Sequence, residues 1–223
     1  MLIRIPAVLD TETLAAVRAL LARARFVDGK LSAGEAARRV KQNEEMDARD
    51  PLWEELNRRV MIPLTRHPVF QAAVLPHKVA TPFYARYTAG MGYGDHIDDP
   101  VMGPGPRYRS DVSLTVFLNE PENYAGGELT IRTTFGEHAV KYAAGDAVLY
   151  PSSSLHRVAP VVSGERLVAV IWAQSMVRDP AKRELLYELG QARESMLRER
   201  PEAEETKQVD RAYVNLVRMW AEV

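Results

Sequence analysis

Cysteine is absent from the 223-residue chain. That excludes disulfides, thiolate nucleophiles, iron–sulfur clusters and every zinc site built on cysteine. Neither sign of charge is in excess, because 29 Lys and Arg stand against 30 Asp and Glu for a formal net charge of -1. Such a balance offers no global attraction to nucleic acid or to an anionic membrane surface, and neither is expected as a partner. No run approaches the roughly 18 apolar residues that span a bilayer, and the first ten residues lack a basic-then-apolar leader. A cytoplasmic location is the expectation. Histidine is scarce as well, limited to His67, His77, His96, His138 and His156, so any metal must sit on a short list of His, Asp and Glu.

Hydrophobic residues make up 46% of the chain, enough for one substantial core. Near the start, Asp10 or Thr11 caps a segment in which Leu14, Val17 and Leu21 recur at helical spacing. Asp50-Pro51 repeats the start signal ahead of Leu52, Leu56 and Val60. Between them, residues 28–50 are charged and polar, which leaves three readings open: an exposed connector, one ordered by a partner, or a cleft rim. From about Val79 the texture changes to short β-rich segments separated by turn residues. Val112, Leu114, Val116 and Leu118 alternate with Ser113, Thr115 and Phe117 in one strand; others are expected at Leu129–Thr133, Ala139–Tyr142, Ala147–Tyr150, His156–Val161 and Arg166–Ala173. Breakers fall at Gly136, Gly145-Asp146, Pro151 and Ser163-Gly164. Asp179-Pro180 restarts helical grammar, with Leu185, Leu189, Ala192 and Met196 on one face. After Pro201, Val209, Tyr213, Leu216 and Trp220 form a stripe that must pack on the β core or on another subunit, so the terminal helices offer a homodimer interface. The expected class is α+β, a closed or nearly closed antiparallel β structure between helices. Three parts are expected: an N-terminal helical flank over 1–77, a core over 78–176 and a C-terminal helical extension over 177–223.

The chemistry concentrates at His96 and Asp98, two residues apart at the end of an apparent strand, where i and i+2 face the same side. His156, just after the small polar turn Ser152-Ser153-Ser154, is the candidate third ligand. Two imidazoles and one carboxylate leave open positions on an octahedral ion, the facial-triad arrangement associated with non-haem Fe(II) and oxygen chemistry. Arg166 heads an otherwise apolar strand through Val168, Val170 and Trp172, and burying it is unfavourable unless an anion meets its planar fork. Asp146 or Glu165 could be that anion, or a ligand could.

The order His96-x-Asp98, His156, Arg166 resembles the Fe(II)- and 2-oxoglutarate-dependent dioxygenases. The segments Phe83–His96, Gly145–Pro151 and Gln174–Asp179, with the helical tail that follows, are similar to the bacterial PKHD-type hydroxylases of the prolyl-hydroxylase-like branch. The resemblance implies a double-stranded β-helix (jelly-roll, cupin-like) core flanked by N- and C-terminal helices. It implies Fe(II) held by His96, Asp98 and His156, 2-oxoglutarate as cosubstrate with Arg166 on its distal carboxylate, and Tyr87 beside it. The position of one tyrosine used by some family members is Phe117 here, which cannot donate. It further implies O2 as co-reactant, oxidative decarboxylation to succinate, ascorbate to keep iron ferrous, hydroxylation of an unidentified main substrate, and a link to iron uptake or siderophore metabolism. A non-enzymatic iron or 2-oxoglutarate sensor, and a zinc hydrolase on the same barrel, stand as alternatives. His67, His77 and His138 read as surface or packing residues, and Gly126-Gly127 as a turn with positive φ. The loop Val101–Pro106, closed by Arg107, Tyr108 and Arg109, reads either as a border of the main-substrate pocket or as a solvated loop.

Overall fold

The structure is a computed structural model and describes residues 1–103 and 105–223. In chain order its strands are β1 (Ile3–Ile5), β2 (Phe26–Asp28), β3 (Lys41–Gln42), β4 (Glu44–Met46), β5 (Pro76–Val79), β6 (Phe83–Tyr87), β7 (Gly92–His96), β8 (Val101–Met102), β9 (Tyr108–Arg109) and β10 (Val112–Phe117). They continue as β11 (Tyr124–Gly126), β12 (Leu129–Thr133), β13 (Gly136–Val140), β14 (Ala147–Pro151), β15 (His156–Val158), β16 (Val161–Gly164) and β17 (Arg166–Ser175). The helices are α1 (Thr11–Leu21), α2 (Glu35–Arg38), α3 (Trp53–Arg66), α4 (Pro68–Val74), α5 (Pro180–Glu199) and α6 (Glu204–Trp220).

A major sheet runs β1-β14-β10-β17-β6-β4-β2, with β5 also on β17, and faces a minor sheet ordered β13-β12-β15-β7-β3. The strand pairs are antiparallel. Two apolar cores result. On the outer face of the major sheet, Leu14, Val17, Leu56, Val60, Leu64 and Phe70 of the helices pack against Leu114, Val116, Leu149 and Ile171. Between the sheets, Phe117, Val148 and Val168 meet Leu129, Ile131, Val158 and Val161. Each fully buried side chain of this size stabilises the fold by about 1.5–3 kcal/mol, which keeps the major sheet a stiff wall. Along β10 the alternation sorts side chains between these two layers. Both faces are buried, and Ser113, Thr115 and Phe117 line the space between the sheets.

Several boundaries differ from the sequence reading for identifiable reasons. Asp10 caps α1 by accepting from Thr13 N at 2.7 Å, as its position suggests. Asp50 instead accepts from Leu52 N at 2.9 Å and Arg25 N at 2.7 Å, so a turn closes first and α3 starts at Trp53. His67 then starts α4 by accepting from Val69 N through Nδ1. Pro160 has no N–H for a ladder, and the expected strand His156–Val161 divides into β15 and β16. Gly136 begins β13 rather than breaking it, which moves that strand ahead of Ala139–Tyr142. On α5 the buried residues are Arg183, Leu186 and Gly190, while Leu185 is 57% exposed, so the inward face is rotated by one residue from the expected one. Gly190 is where the Tyr213 ring approaches α5: a Cβ there would stand 3.3 Å from Tyr213 Cε2. The stripe Tyr213, Leu216 and Trp220 packs within the chain, on Leu75, Val177 and Leu186.

Residues 28–50 are a structured wall. β3 pairs with β7 while β4 pairs with β6, so the chain crosses from the minor to the major sheet at Asn43 and closes one side of the barrel. The N-terminal flank is accordingly helices plus the strands β1 to β4. No helix among the described residues is long and apolar enough to cross a membrane.

Candidate active site

His96 and His156 are direct cross-strand partners of β7 and β15. His96 Nδ1 lies 2.8 Å from Gly94 O, and His156 Nδ1 lies 3.0 Å from Ser154 O. A carbonyl accepts only, so both Nδ1 atoms carry the proton and both Nε2 lone pairs are free. The two Nε2 atoms lie 3.9 and 3.8 Å from Asp98 Oδ1. One ligand atom from each residue falls within 4.8 Å of the others. The side chains of His96, Asp98 and His156 are 9%, 8% and 5% exposed. Burial, then the neighbouring His156, holds the His96 pKa down to about 4, so this imidazole is neutral at neutral pH. Two imidazole nitrogens and one carboxylate oxygen fit a divalent iron ion.

Asp98 belongs to the loop after β7 but is held from the opposite sheet. Ser113 Oγ of β10 donates to Asp98 Oδ2 at 2.5 Å and meets Ser152 Oγ at 2.8 Å. The role of this pair was missed from sequence, where Ser113 reads only as an alternate position of its strand and Ser152 only as part of a polar turn. Tyr93 stacks on the His96 ring, with centroids 3.6 Å apart and planes 12° apart. Behind it lies the buried pair Lys41 and Glu45, 2.5 Å apart. Lys41 Nζ stands 5.5 Å from the Tyr93 ring centroid. Ser113→Ala should keep the fold and weaken divalent-metal affinity about 10–100-fold, the usual cost of losing a partner that orients a ligand; calorimetric metal titration reads it.

Arg166 opens β17 as the register partner of Tyr87 on β6 and is 1% exposed. Its guanidinium carbon lies 5.0 Å from the Tyr87 ring centroid and 6.0 Å from that of Phe117. Neither acidic competitor takes it: Asp146 binds Arg4 Nη2 at 2.5 Å and Ala7 N at 2.8 Å, and Glu165 stands 4.0 Å from Arg86 Nε. Arg166 Nε is buried without a hydrogen-bond partner among the described residues. Burial pushes the Tyr87 phenol up to about 12 against the opposing Arg166 charge, so it stays protonated. A buried guanidinium beside protonated phenols and no carboxylate fits an anionic ligand.

The remaining candidates separate cleanly. His77 and His138 are exposed, and His67 serves its helix. Gly126 and Gly127 have φ of 72° and 68°. Pro104, within the loop 101–106, lies outside the described residues. Arg109 bonds to Asp111 at 2.7 Å and to Ser175 O at 3.3 Å, while Arg107 is exposed.

Comparison with known proteins agrees with this geometry. Residues 82–174 match the 2OG-Fe(II) oxygenase superfamily, and residues 180–222 match the PKHD-type hydroxylase C-terminal domain. A PKHD-type hydroxylase of Thioalkalivibrio sulfidiphilus is 59% identical over 100% of both chains, and one of Acaryochloris marina is 46% identical over 100% of both. Among solved structures, a prolyl hydroxylase from Trichoplax adhaerens, in complex with a hypoxia inducible factor peptide fragment, has a TM-score of 0.57 at 20% identity. That likeness covers 82% of this chain and 86% of that one, and shows the fold. A Pseudomonas putida prolyl-4-hydroxylase has a TM-score of 0.52 at 19% identity, over 78% of this chain and 92% of that one. Full-length identity, the paired family matches and a donor set suited to iron lead to one conclusion: the chain belongs to the PKHD-type hydroxylases, enzymes of the oxygenase superfamily that uses Fe(II) and 2-oxoglutarate.

Proposed function

We propose that His96, Asp98 and His156 hold the Fe(II), that Arg166 grips the distal carboxylate of 2-oxoglutarate with Tyr87 beside it, and that the chain hydroxylates a C–H bond of a main substrate. The observation that carries this reading is one barrel holding three converging donors and a buried guanidinium without an anion of its own. Bound iron supplies oxygen activation coupled to decarboxylation of 2-oxoglutarate to succinate. The residues do the rest. Gly94 O and Ser154 O fix both imidazoles in the tautomer that presents Nε2, Ser113 aims Asp98, and Tyr93 holds the His96 ring in plane. Tyr87, Phe117 and Tyr150 keep the inner end dry, which strengthens the Arg166 charge toward a carboxylate.

The main substrate is a protein side chain or a small molecule such as a siderophore, in a cytoplasmic role linked to iron uptake, with ascorbate as the reductant. The chemistry belongs to residues 78–176, with 1–77 and 177–223 as flanks. A homodimer through the terminal helices would use the outer faces that expose Leu185, Val214 and Met219.

Anaerobic titration of metal-free protein with Fe(II) and then 2-oxoglutarate, followed by admission of oxygen, tests this without knowledge of the substrate. The wild type is expected to develop the visible charge-transfer band of an Fe(II)–keto acid complex and then to release succinate, and His96→Ala to do neither. Folded, iron-loaded protein that shows no band would remove the 2-oxoglutarate reading. A band without succinate, under any candidate substrate, would leave a sensor in place of an enzyme.

A further inference from the structure

Tyr124, at the start of β11, carries a second unanswered group beside Arg166. It is 5% exposed, and its hydroxyl is buried with no hydrogen-bond partner among the described residues, as is Arg166 Nε. An orphaned buried polar group costs about 1–3 kcal/mol, so two on adjoining side chains are an expensive coincidence unless one ligand satisfies both. The two side chains meet over Gly127: a Cβ there would stand 3.1 Å from Tyr124 Cε2, 3.1 Å from Arg166 Cδ and 3.0 Å from Val161 Cγ2. Gly127 also has a φ of +68°, which few residues other than glycine adopt, so the backbone brings both ends together without a side chain between them.

The Tyr124 ring is fixed in advance. Its strand pairs Tyr124 with Gly164, and Lys141 Nζ donates to Tyr124 O at 2.7 Å while lying 4.0 Å above the ring. Burial holds the phenol pKa above its ordinary value, and the oxygen keeps its proton to donate. Around the guanidinium, Tyr87 offers a ring face and Phe117 no hydroxyl at all, and the Tyr124 O–H is a fully buried hydroxyl without a partner among the described residues.

We propose that Tyr124 is a second grip on the anion that Arg166 binds, its O–H donating to the distal carboxylate of 2-oxoglutarate and selecting keto acids that carry that group. This rests on the Arg166 reading above. The test compares 2-oxoglutarate with 2-oxopentanoate, which has the same carbon chain but ends in a methyl group, by anaerobic calorimetry on Fe(II)-loaded protein. Tyr124→Phe should bind 2-oxoglutarate about tenfold more weakly, the cost of one hydrogen bond to a charged group, and bind 2-oxopentanoate as the wild type does. Equal loss for both acids, or loss for neither, would overturn the proposal. Arg166→Ala in the same comparison separates the two claims. If it loses the preference for 2-oxoglutarate and Tyr124→Phe does not, Tyr124 alone is wrongly assigned; if neither loses it, the Arg166 reading falls as well. Wild-type chain with 3-fluorotyrosine placed at position 124 gives a readout that does not need the variant to fold. Its fluorine resonance should shift with 2-oxoglutarate and stay with 2-oxopentanoate, and a resonance that responds alike to both would count against the contact.

Discussion

Asp98→Asn is expected to strip the site of divalent metal and, in the same stroke, to make the metal-free chain more stable. Asp98 is the anion of the triad, with a side chain only 8% exposed. Its Oδ2 is satisfied by Ser113, but Oδ1 faces two Nε2 lone pairs at 3.9 and 3.8 Å. Without a cation, three acceptors converge on one another, an arrangement that costs the fold and that a cation or a hydrogen-bond donor relieves. An amide in place of the carboxylate removes the charge and supplies an N–H for one Nε2. The metal-free variant should gain about 1–3 kcal/mol, on the scale of an unanswered buried group. Its metal affinity should fall by more than about 100-fold, beyond what loss of an outer partner costs, and succinate formation should drop to background. Thermal unfolding and metal titration of both chains check the two halves. A wild type more stable than Asp98→Asn when metal-free would mean that the triad is relaxed without its ion.

The triad was legible in the sequence because its geometry is local. His96 and Asp98 share a strand face by spacing alone, and a short polar turn placed His156 at a strand start, where register sets it opposite His96. Helix starts at Asp10 and Asp179 were legible for the same reason, a cap acting within three residues. The residues that support the site were not, because each is defined by a surface from elsewhere in the chain. Ser113 reads only as an alternate position of β10, and its partners Asp98 and Ser152 come from the loop after β7 and the turn after β14. Lys41, Asn43 and Glu45 lie in the stretch that reads equally as an exposed connector, one ordered by a partner or a cleft rim, and all three are under 9% exposed because the chain crosses between the sheets there. The rotated face of α5 has the same origin: Leu185 and Leu186 are equally apolar, and only the positions of Leu75 and Val177 decide which is buried.

Arg166→Met applies the same logic to a buried cation, with larger expected effects at the other end of the pocket. An unbranched side chain of similar length keeps the packing against Tyr87 and Phe117, while the buried cation and its orphaned Nε disappear. Replacing buried ionic groups by well-packed apolar side chains is often neutral or stabilising by about 1–4 kcal/mol; the ring face of Tyr87, which attracts the guanidinium, brings the expectation toward the lower end. The ligand-free variant should therefore melt several degrees above the wild type. Its affinity for 2-oxoglutarate should fall by at least about 100-fold, since a carboxylate left in a dry pocket without its charged partner loses several kcal/mol. The order of stabilities then reverses with ligand. 2-Oxoglutarate at a concentration that saturates the wild type raises the melting temperature of its Fe(II)-loaded form by mass action and raises that of Arg166→Met far less. Both curves come from one anaerobic melting series with and without the keto acid. A ligand-free Arg166→Met that melts below the wild type would show that the rings already satisfy the guanidinium. Arg166 would then be a packing residue of β17, and the carboxylate would have to find its charge elsewhere.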